Sequence, residues 1–190
     1  MEPGFKRETL PQDIEAFRAD AARLEQKAFV AGLKGPCLLY ARSKLWDPLL
    51  VMTAKETDAE GTKLVSYDIA AGGHTFLSPI RKHVTSPADP LIYLGRAPDN
   101  DVVVPIATVS SRHASFKPPA GGNGDWIVTD IDSRNGTFLN EERLESQVET
   151  KVPDGEYLRL GGNLIAWFVY PARLWTLLRN PAELAKLTDL

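Results

Sequence analysis

Between Leu91 and Tyr170 the chain repeats one unit many times over: a short apolar run, then a gap carrying Pro, Gly, Asn or Asp. The runs are Leu91–Leu94, Val102–Val104, Ala114–Phe116, Trp126–Thr129, Phe138-Leu139, Tyr157–Leu160 and Leu164–Tyr170. No helix-period segment comes between them. Many short strands with regular turn signals can bury their apolar faces only by packing sheet on sheet, so the pattern predicts an all-β sandwich. The stretch Pro118-Pro119-Ala120-Gly121-Gly122-Asn123-Gly124 reads as a hairpin loop; its glycines lack the spacing of a dinucleotide loop and no helix follows.

The 190 residues, 43% of them hydrophobic and 25% charged, can bury a full core without metal or disulfide staples. The single cysteine, Cys37, excludes an intramolecular disulfide and fits a reducing compartment, so the expected location is cytoplasmic. Met1 to Leu10 has no apolar core of a signal peptide, and nowhere do about eighteen apolar residues run together. A net charge of −3 argues against a general nucleic-acid binder, which needs a basic surplus to displace counterions.

The flanks read differently. Leu10, Ile14, Phe17, Ala21, Leu24 and Ala28 recur at spacings of four and three, one apolar stripe on an amphipathic helix. Thr9 and Gln12 offer a capping box with Pro11 in the first turn, and Gly32 and Gly35-Pro36 end the helix. Under three heptads make a weak coiled coil, so docking on its own domain is favoured. Cys37–Tyr40, Leu49–Thr53, Leu64–Ile69 and Thr75–Leu77 read as strands, separated by spacers such as Asp58-Ala59-Glu60-Gly61 and Ala71-Gly72-Gly73. They either form a small unit or extend the sandwich. After Pro171, Leu174, Trp175, Leu177 and Leu178 suggest one short helix, and Asn180-Pro181-Ala182-Glu183 starts a second. The expected organisation is a helical extension over 1–31, a β-rich segment over 32–74, the sandwich over 75–170 and a helical tail over 171–190.

Chemistry concentrates in three loop-like segments: Gly95-Arg96, Ser110-Ser111-Arg112-His113 and Ser133-Arg134-Asn135-Gly136-Thr137. Each adjoins an apolar β-like run, so guanidiniums, hydroxyls and an amide would meet on loops at one end of the sandwich. These are groups that hold an anion.

This ordered pattern of Gly-Arg, Ser-x-x-His and Ser-x-Asn-Gly-Thr resembles that of forkhead-associated domains. Asp101-Val102-Val103-Val104-Pro105 and Asp154-Gly155-Glu156-Tyr157-Leu158-Arg159-Leu160-Gly161 are similar to further stretches of that family. The resemblance spans roughly residues 75 to 170. It implies a β-sandwich that binds phosphothreonine in a partner protein, downstream of a Ser/Thr kinase, without cofactor, metal, nucleic acid or membrane. It implies Arg96 as the principal phosphate ligand, whose planar fork suits phosphate oxygens. Ser110 can donate its hydroxyl to the same phosphate and Arg112 can add a second charge at the rim. Ser111 and Arg134 would help through main-chain N–H groups or side-chain reach. Asn135 can bond an extended peptide main chain from both ends of its amide. Gly95, His113, Ser133, Gly136 and Thr137 are expected to support the loops, His113 by bridging them. One departure is Asn140-Glu141, where the family usually has Asn-Gly.

Three rival readings draw on the same residues. Ser110, His113 and Asp130 or Asp132 suggest a hydrolase triad, but no nucleophile elbow accompanies them. His74, His83 and Cys37 lack metal-ligand spacing. The run Asp130 to Gly136, with Glu141, imitates a calcium loop but puts arginine at a ligand position and strands where helices belong. A non-enzymatic rival is an assembly adaptor whose partners dock on the amino-terminal helix or the tail, independently of phosphate.

Overall fold

The structure, a computed structural model, describes residues 9–40, 51–58, 61–68, 75–83, 88–122 and 124–188. Leu49, Ala59, Glu60, Ile69, the Ala71-Gly72-Gly73 spacer and His74 lie outside the described residues. The strands are β1 (Gln12–Asp13), β2 (Cys37–Tyr40), β3 (Val51–Asp58), β4 (Gly61–Asp68), β5 (Phe76–Pro79), β6 (Ile92–Gly95) and β7 (Val102–Val103). They continue with β8 (Ala114–Lys117), β9 (Trp126–Asp130), β10 (Thr137–Leu139), β11 (Glu142–Arg143), β12 (Thr150–Val152), β13 (Tyr157–Leu160) and β14 (Leu164–Val169). Two sheets form a sandwich, one ordered β1-β5-β2-β14-β13-β10-β11 and the other β12-β9-β8-β6-β7, while β3 and β4 pair only with each other. A β-sandwich is therefore the architecture, as the strand pattern led one to expect. Cys37–Tyr40 and Phe76–Pro79 are strands within the larger sheet.

One pairing among the described strands is not antiparallel. β6 and β7 run parallel, with Leu94 opposite Val102 and Gly95 opposite Val103. Parallel neighbours usually need a long crossover, but here the loop 96–101 curls back on itself. The Asp101 carboxylate accepts from the main-chain N–H of Tyr93 at 3.1 Å and of His83 at 2.9 Å, and the Asp101 N–H donates to the Tyr93 carbonyl at 3.0 Å.

Strand alternation divides the apolar residues between two cores. Leu38, Tyr40, Leu94, Phe116, Val128, Leu160 and Phe168 meet between the sheets, with the Phe116 and Phe168 rings 6.1 Å apart. Cys37, Leu39, Leu77 and Val169 point from the opposite face of the seven-stranded sheet into a second cluster. This is why Cys37-Leu38-Leu39-Tyr40 reads as unbroken apolar sequence: both of its faces are covered. Burial pushes the Cys37 thiol up to about 12, leaving it inert at neutral pH.

The second cluster is closed by helices: α1 (Ile14–Arg23), α2 (Gln26–Leu33), α3 (Pro171–Arg179) and α4 (Pro181–Thr188). Ile14, Ala21, Phe29, Leu174, Leu177, Leu178 and Leu184 supply their inner sides. The expected stripe docks through Ile14, Phe17, Ala21 and Leu24, but Ala28 is exposed, and a second helix continues the cover with Phe29 and Leu33 instead. Leu24 and Glu25 are extended, at φ −95 and −66. Tail side chains take up α1 carbonyls at the break: Trp175 Nε1 donates to Leu24 O at 3.3 Å and Arg179 Nη1 to Ala21 O at 3.0 Å. The helix also starts later than Thr9 suggests. Gln12 and Asp13 pair with β5, and the Asp13 carboxylate caps α1 by accepting from Glu15 N at 2.9 Å. α2 runs past Gly32 to Leu33 and stops at Lys34, which is left-handed at φ 61, just before Gly35-Pro36. Among the described residues no helix is long and apolar enough to cross a membrane.

Candidate functional site

Three loops, following β6, preceding β8 and following β9, converge on an open pocket of about 490 Å³. Arg96, Thr108, Ser110, Ser111, Arg134 and Asn135 line it, with Ala107 and Val109, and no carboxylate is among the described lining residues. Two guanidiniums without an opposing charge give the pocket a positive field.

The fold holds each of these groups in place. Gly95 must lack a side chain, because a β-carbon there would overlap the Ser111 carbonyl oxygen and come within 2.9 Å of Arg112 Cα. That close approach locks the first loop onto the second: Arg96 N donates to Ser110 O at 2.9 Å and Arg96 Nε to Val109 O at 3.2 Å. The Ser110 hydroxyl accepts from Arg134 N at 3.0 Å. A hydroxyl that accepts one bond still has its hydrogen to donate, which is what an anion needs. Asn135 Nδ2 donates to Thr108 O at 2.7 Å, tying the third loop to the second. Gly136, at φ +82, makes the sharp turn after it.

Two buried residues brace the loops in roles the sequence did not reveal. The Asp130 carboxylate, 3% exposed, accepts from Ser133 N at 3.0 Å, Ser133 Oγ at 2.5 Å and Thr137 Oγ1 at 2.6 Å. Asn100, fully buried, donates from Nδ2 to Ala97 O at 2.8 Å and Ser111 O at 2.7 Å. The sequence signal for Asn100 was its place in the turn-forming run Pro98-Asp99-Asn100. Asp130 had none beyond its position at the end of a strand.

His113 is buried and bridges within the second loop, its Nδ1 accepting from Ser110 N at 3.1 Å. Burial pushes its pKa below the usual imidazole value, against the opposing pull of Asp130 and the Gly136 main chain. This geometry does not make a hydrolase triad. His113 bonds the main chain of Ser110 rather than its hydroxyl, and Asp130 is engaged by Ser133 and Thr137. Asp132 is engaged as well, its carboxylate held low by hydrogen bonds from Ser146 and Gln147. No group of three or more His, Cys, Asp or Glu able to hold a metal ion occurs among the described residues.

Arg112 is placed apart from the pocket lining. Its guanidinium lies 4.3 Å from the Tyr93 ring centroid and 3.5 Å from Asp99. The Asn140-Glu141 turn forms without glycine: both residues are left-handed, at φ 48 and 67, as a two-residue hairpin of this type requires. Tyr157 Oη and Arg159 Nε donate to the Glu141 carboxylate at 3.2 and 3.1 Å, and Asn140 is held by Glu156 and by Tyr157 N.

Fold and site together define a β-sandwich module with an open pocket, lined by two guanidiniums and no carboxylate among the described residues, built from loops of the sandwich. Residues 92–161 match the family model of the FHA domain. The chain is similar to the oxoglutarate dehydrogenase inhibitor of Corynebacterium efficiens, 34% identical over 83 residues, which cover 44% of this chain and 54% of that one. It is also similar to the glycogen accumulation regulator GarA of Mycolicibacterium smegmatis, 36% identical over 72 residues, covering 38% of this chain and 42% of GarA. The matches thus span about half of those relatives' lengths. Among solved structures, the crystal structure of the MEK1 FHA domain aligns at 18% identity and a TM-score of 0.44, covering 76% of this chain and 98% of that one.

Proposed function

We propose that this protein binds phosphothreonine in a partner protein and acts, in the cytoplasm, as a regulatory interaction module downstream of a Ser/Thr kinase. The observation that carries the reading is the meeting of Arg96, Ser110 and Arg134 on one open pocket without a lining carboxylate. A phosphothreonine brings nearly two negative charges and three acceptor oxygens. Arg96 meets it with a planar fork, Ser110 with a hydroxyl hydrogen, and Arg134 with a second cation. Asn135 stands at the pocket edge, where its amide can bond the peptide main chain and fix the register. The relatives' names, an inhibitor and a regulator, together with the family, point to a binding module rather than a catalyst.

Charge-assisted hydrogen bonds contribute about 1.5–3 kcal/mol each. Micromolar binding needs about 8 kcal/mol net, and ordering the peptide consumes part of the gross gain. Micromolar affinity is the expected range. The phosphate-independent adaptor reading meets an obstacle in the helical layer: the stripe it would use, Ile14 and Ala21 with Leu174 and Leu184 of the tail, is buried against the sheet. Titration calorimetry with a phosphothreonine peptide chosen from an oriented library tests the proposal. Binding should vanish for the unphosphorylated peptide and weaken strongly for phosphoserine; equal affinity for all three would refute it.

A further inference from the structure

The third pocket loop stands between two open spaces. Arg134 and Asn135 line the pocket in front, while Asp132 and Ser133 line a second cavity of about 530 Å³ behind, with Arg143, Glu145 and Ser146 on its far side. Open space on both sides leaves the placement of the loop to hydrogen bonds rather than to packing. In front, Arg134 N bonds Ser110 Oγ and Asn135 Nδ2 bonds Thr108 O. Behind, the loop is latched to the turn 145–148. Asp132 N donates to Ser146 Oγ at 3.1 Å, that hydroxyl returns its hydrogen to Asp132 Oδ1 at 2.5 Å, and Gln147 Nε2 donates to Asp132 Oδ2 at 2.9 Å. Gln147 N closes the contact on Asp130 O at 2.9 Å. Both partners are left-handed, Asp132 at φ 49 and Gln147 at φ 63. A short aspartate side chain eases that conformation, but glutamine has no such aid. Backbone of this kind persists only where its surroundings hold it, and it gathers at functional sites.

We propose that Asp132 is a positioning residue for phosphothreonine binding: its latch to Ser146 and Gln147 fixes the third loop so that Arg134 and Asn135 meet the ligand, although Asp132 itself does not line the pocket. The proposal rests on the reading of the pocket as a phosphothreonine site. A carboxylate suits the task because each of its oxygens takes one of the two donors of the turn. Asparagine offers one acceptor oxygen and matches the arrangement only in part.

The test uses the full chain with two replacements at one position. Asp132→Gly removes both carboxylate bonds and leaves the left-handed backbone unstrained; Asp132→Asn keeps one acceptor and tolerates the conformation. Calorimetry with a library-selected phosphothreonine peptide should show the glycine variant weaker than the parent by about three- to thirtyfold and the asparagine variant between the two. Ser146→Ala should cost less in the glycine variant than in the parent, because the two side chains act as one unit. In the unliganded chain, amide exchange at Arg134, whose N–H donates to Ser110 Oγ, should quicken in Asp132→Gly while the amides of β8 and β9 exchange as before. Affinity of the glycine variant within about twofold of the parent, an asparagine variant no better than glycine, losses that add fully with Ser146→Ala, or exchange that quickens throughout the sheet would overturn the proposal. If the parent binds no phosphothreonine peptide, the functional reading fails, and exchange at Arg134 then decides: quickened in Asp132→Gly, it upholds the latch, and unaltered, it removes it.

Discussion

Arg96 concentrates the chemistry of the site in one side chain that is exposed, tethered at Nε to Val109 O, and aimed into an open pocket. Replacing it with alanine should cost phosphopeptide binding about 2–4 kcal/mol, the penalty of leaving a phosphate without its main cation. Stability should change little, since the residue contributes little buried surface. Calorimetry beside a thermal melt separates the two effects, and unchanged affinity would remove Arg96 from the site. His113, buried beneath Ser110, bears on stability through its protonation state. Its folded-state pKa lies below the ordinary 6.5 because the ring is buried, so the unfolded chain takes up the proton at a higher pH than the folded one. Its contribution to stability is therefore complete above about pH 6.5 and is lost as the pH falls through the folded value. Protonation also puts a hydrogen on Nδ1, the atom that accepts from Ser110 N. The unfolding midpoint in urea should drop as the pH falls below about 6.5, and His113→Asn should flatten that slope. Unfolding is the proper readout, because the ligand's phosphate itself titrates near pH 6.

Among the elements, the β10–β11 hairpin makes a backbone claim that can be isolated. Glu141 holds φ 67 and is kept there by Tyr157 and Arg159. Both Glu141→Ala and Glu141→Gly lose these partners, but only alanine retains the strain of the left-handed region. The glycine variant should be the more stable by about 1–2 kcal/mol, read from urea unfolding; equal stability would show that the turn relaxes when its partners go. The departure at Glu141 was visible in the sequence, while its remedy lay sixteen and eighteen residues away on β13. The same division recurs elsewhere. Apolar runs separated by turn residues revealed β6 to β10, β13 and β14, since each run records its own burial, whereas β11 and β12 carry too little apolar sequence to be read as strands. The three segments that line the pocket were legible for the same reason, being local. The break at Leu24-Glu25 was not, because Leu24 fits the helical stripe and the groups that end α1 come from Trp175 and Arg179. The bracing role of Asp130 was not legible for a similar reason: its partners Ser133 and Thr137 are near in sequence, but its burial depends on the whole sandwich.

At the level of the molecule, three layers divide the work: the five-stranded sheet carries the pocket loops, the seven-stranded sheet closes the first core, and the four helices cover the second. Amino-terminal and carboxy-terminal segments meet in that third layer, where α3 packs on both α1 and α2. The pocket residues lie instead in the β6–β7, β7–β8 and β9–β10 loops. If the layers act independently, a defect in the helical layer should weaken the fold without altering ligand affinity. Leu174 is fully buried in the second cluster. Its replacement by alanine removes apolar contact and leaves a void, a change that costs about 2–5 kcal/mol. Leu174→Ala should therefore lower the urea midpoint sharply while the phosphopeptide dissociation constant, measured where the variant remains folded, stays within about twofold, or about 0.4 kcal/mol. A larger loss of affinity in a folded sample would mean that the helices set the positions of the pocket loops through the shared seven-stranded sheet. Binding would then report on the state of both chain ends.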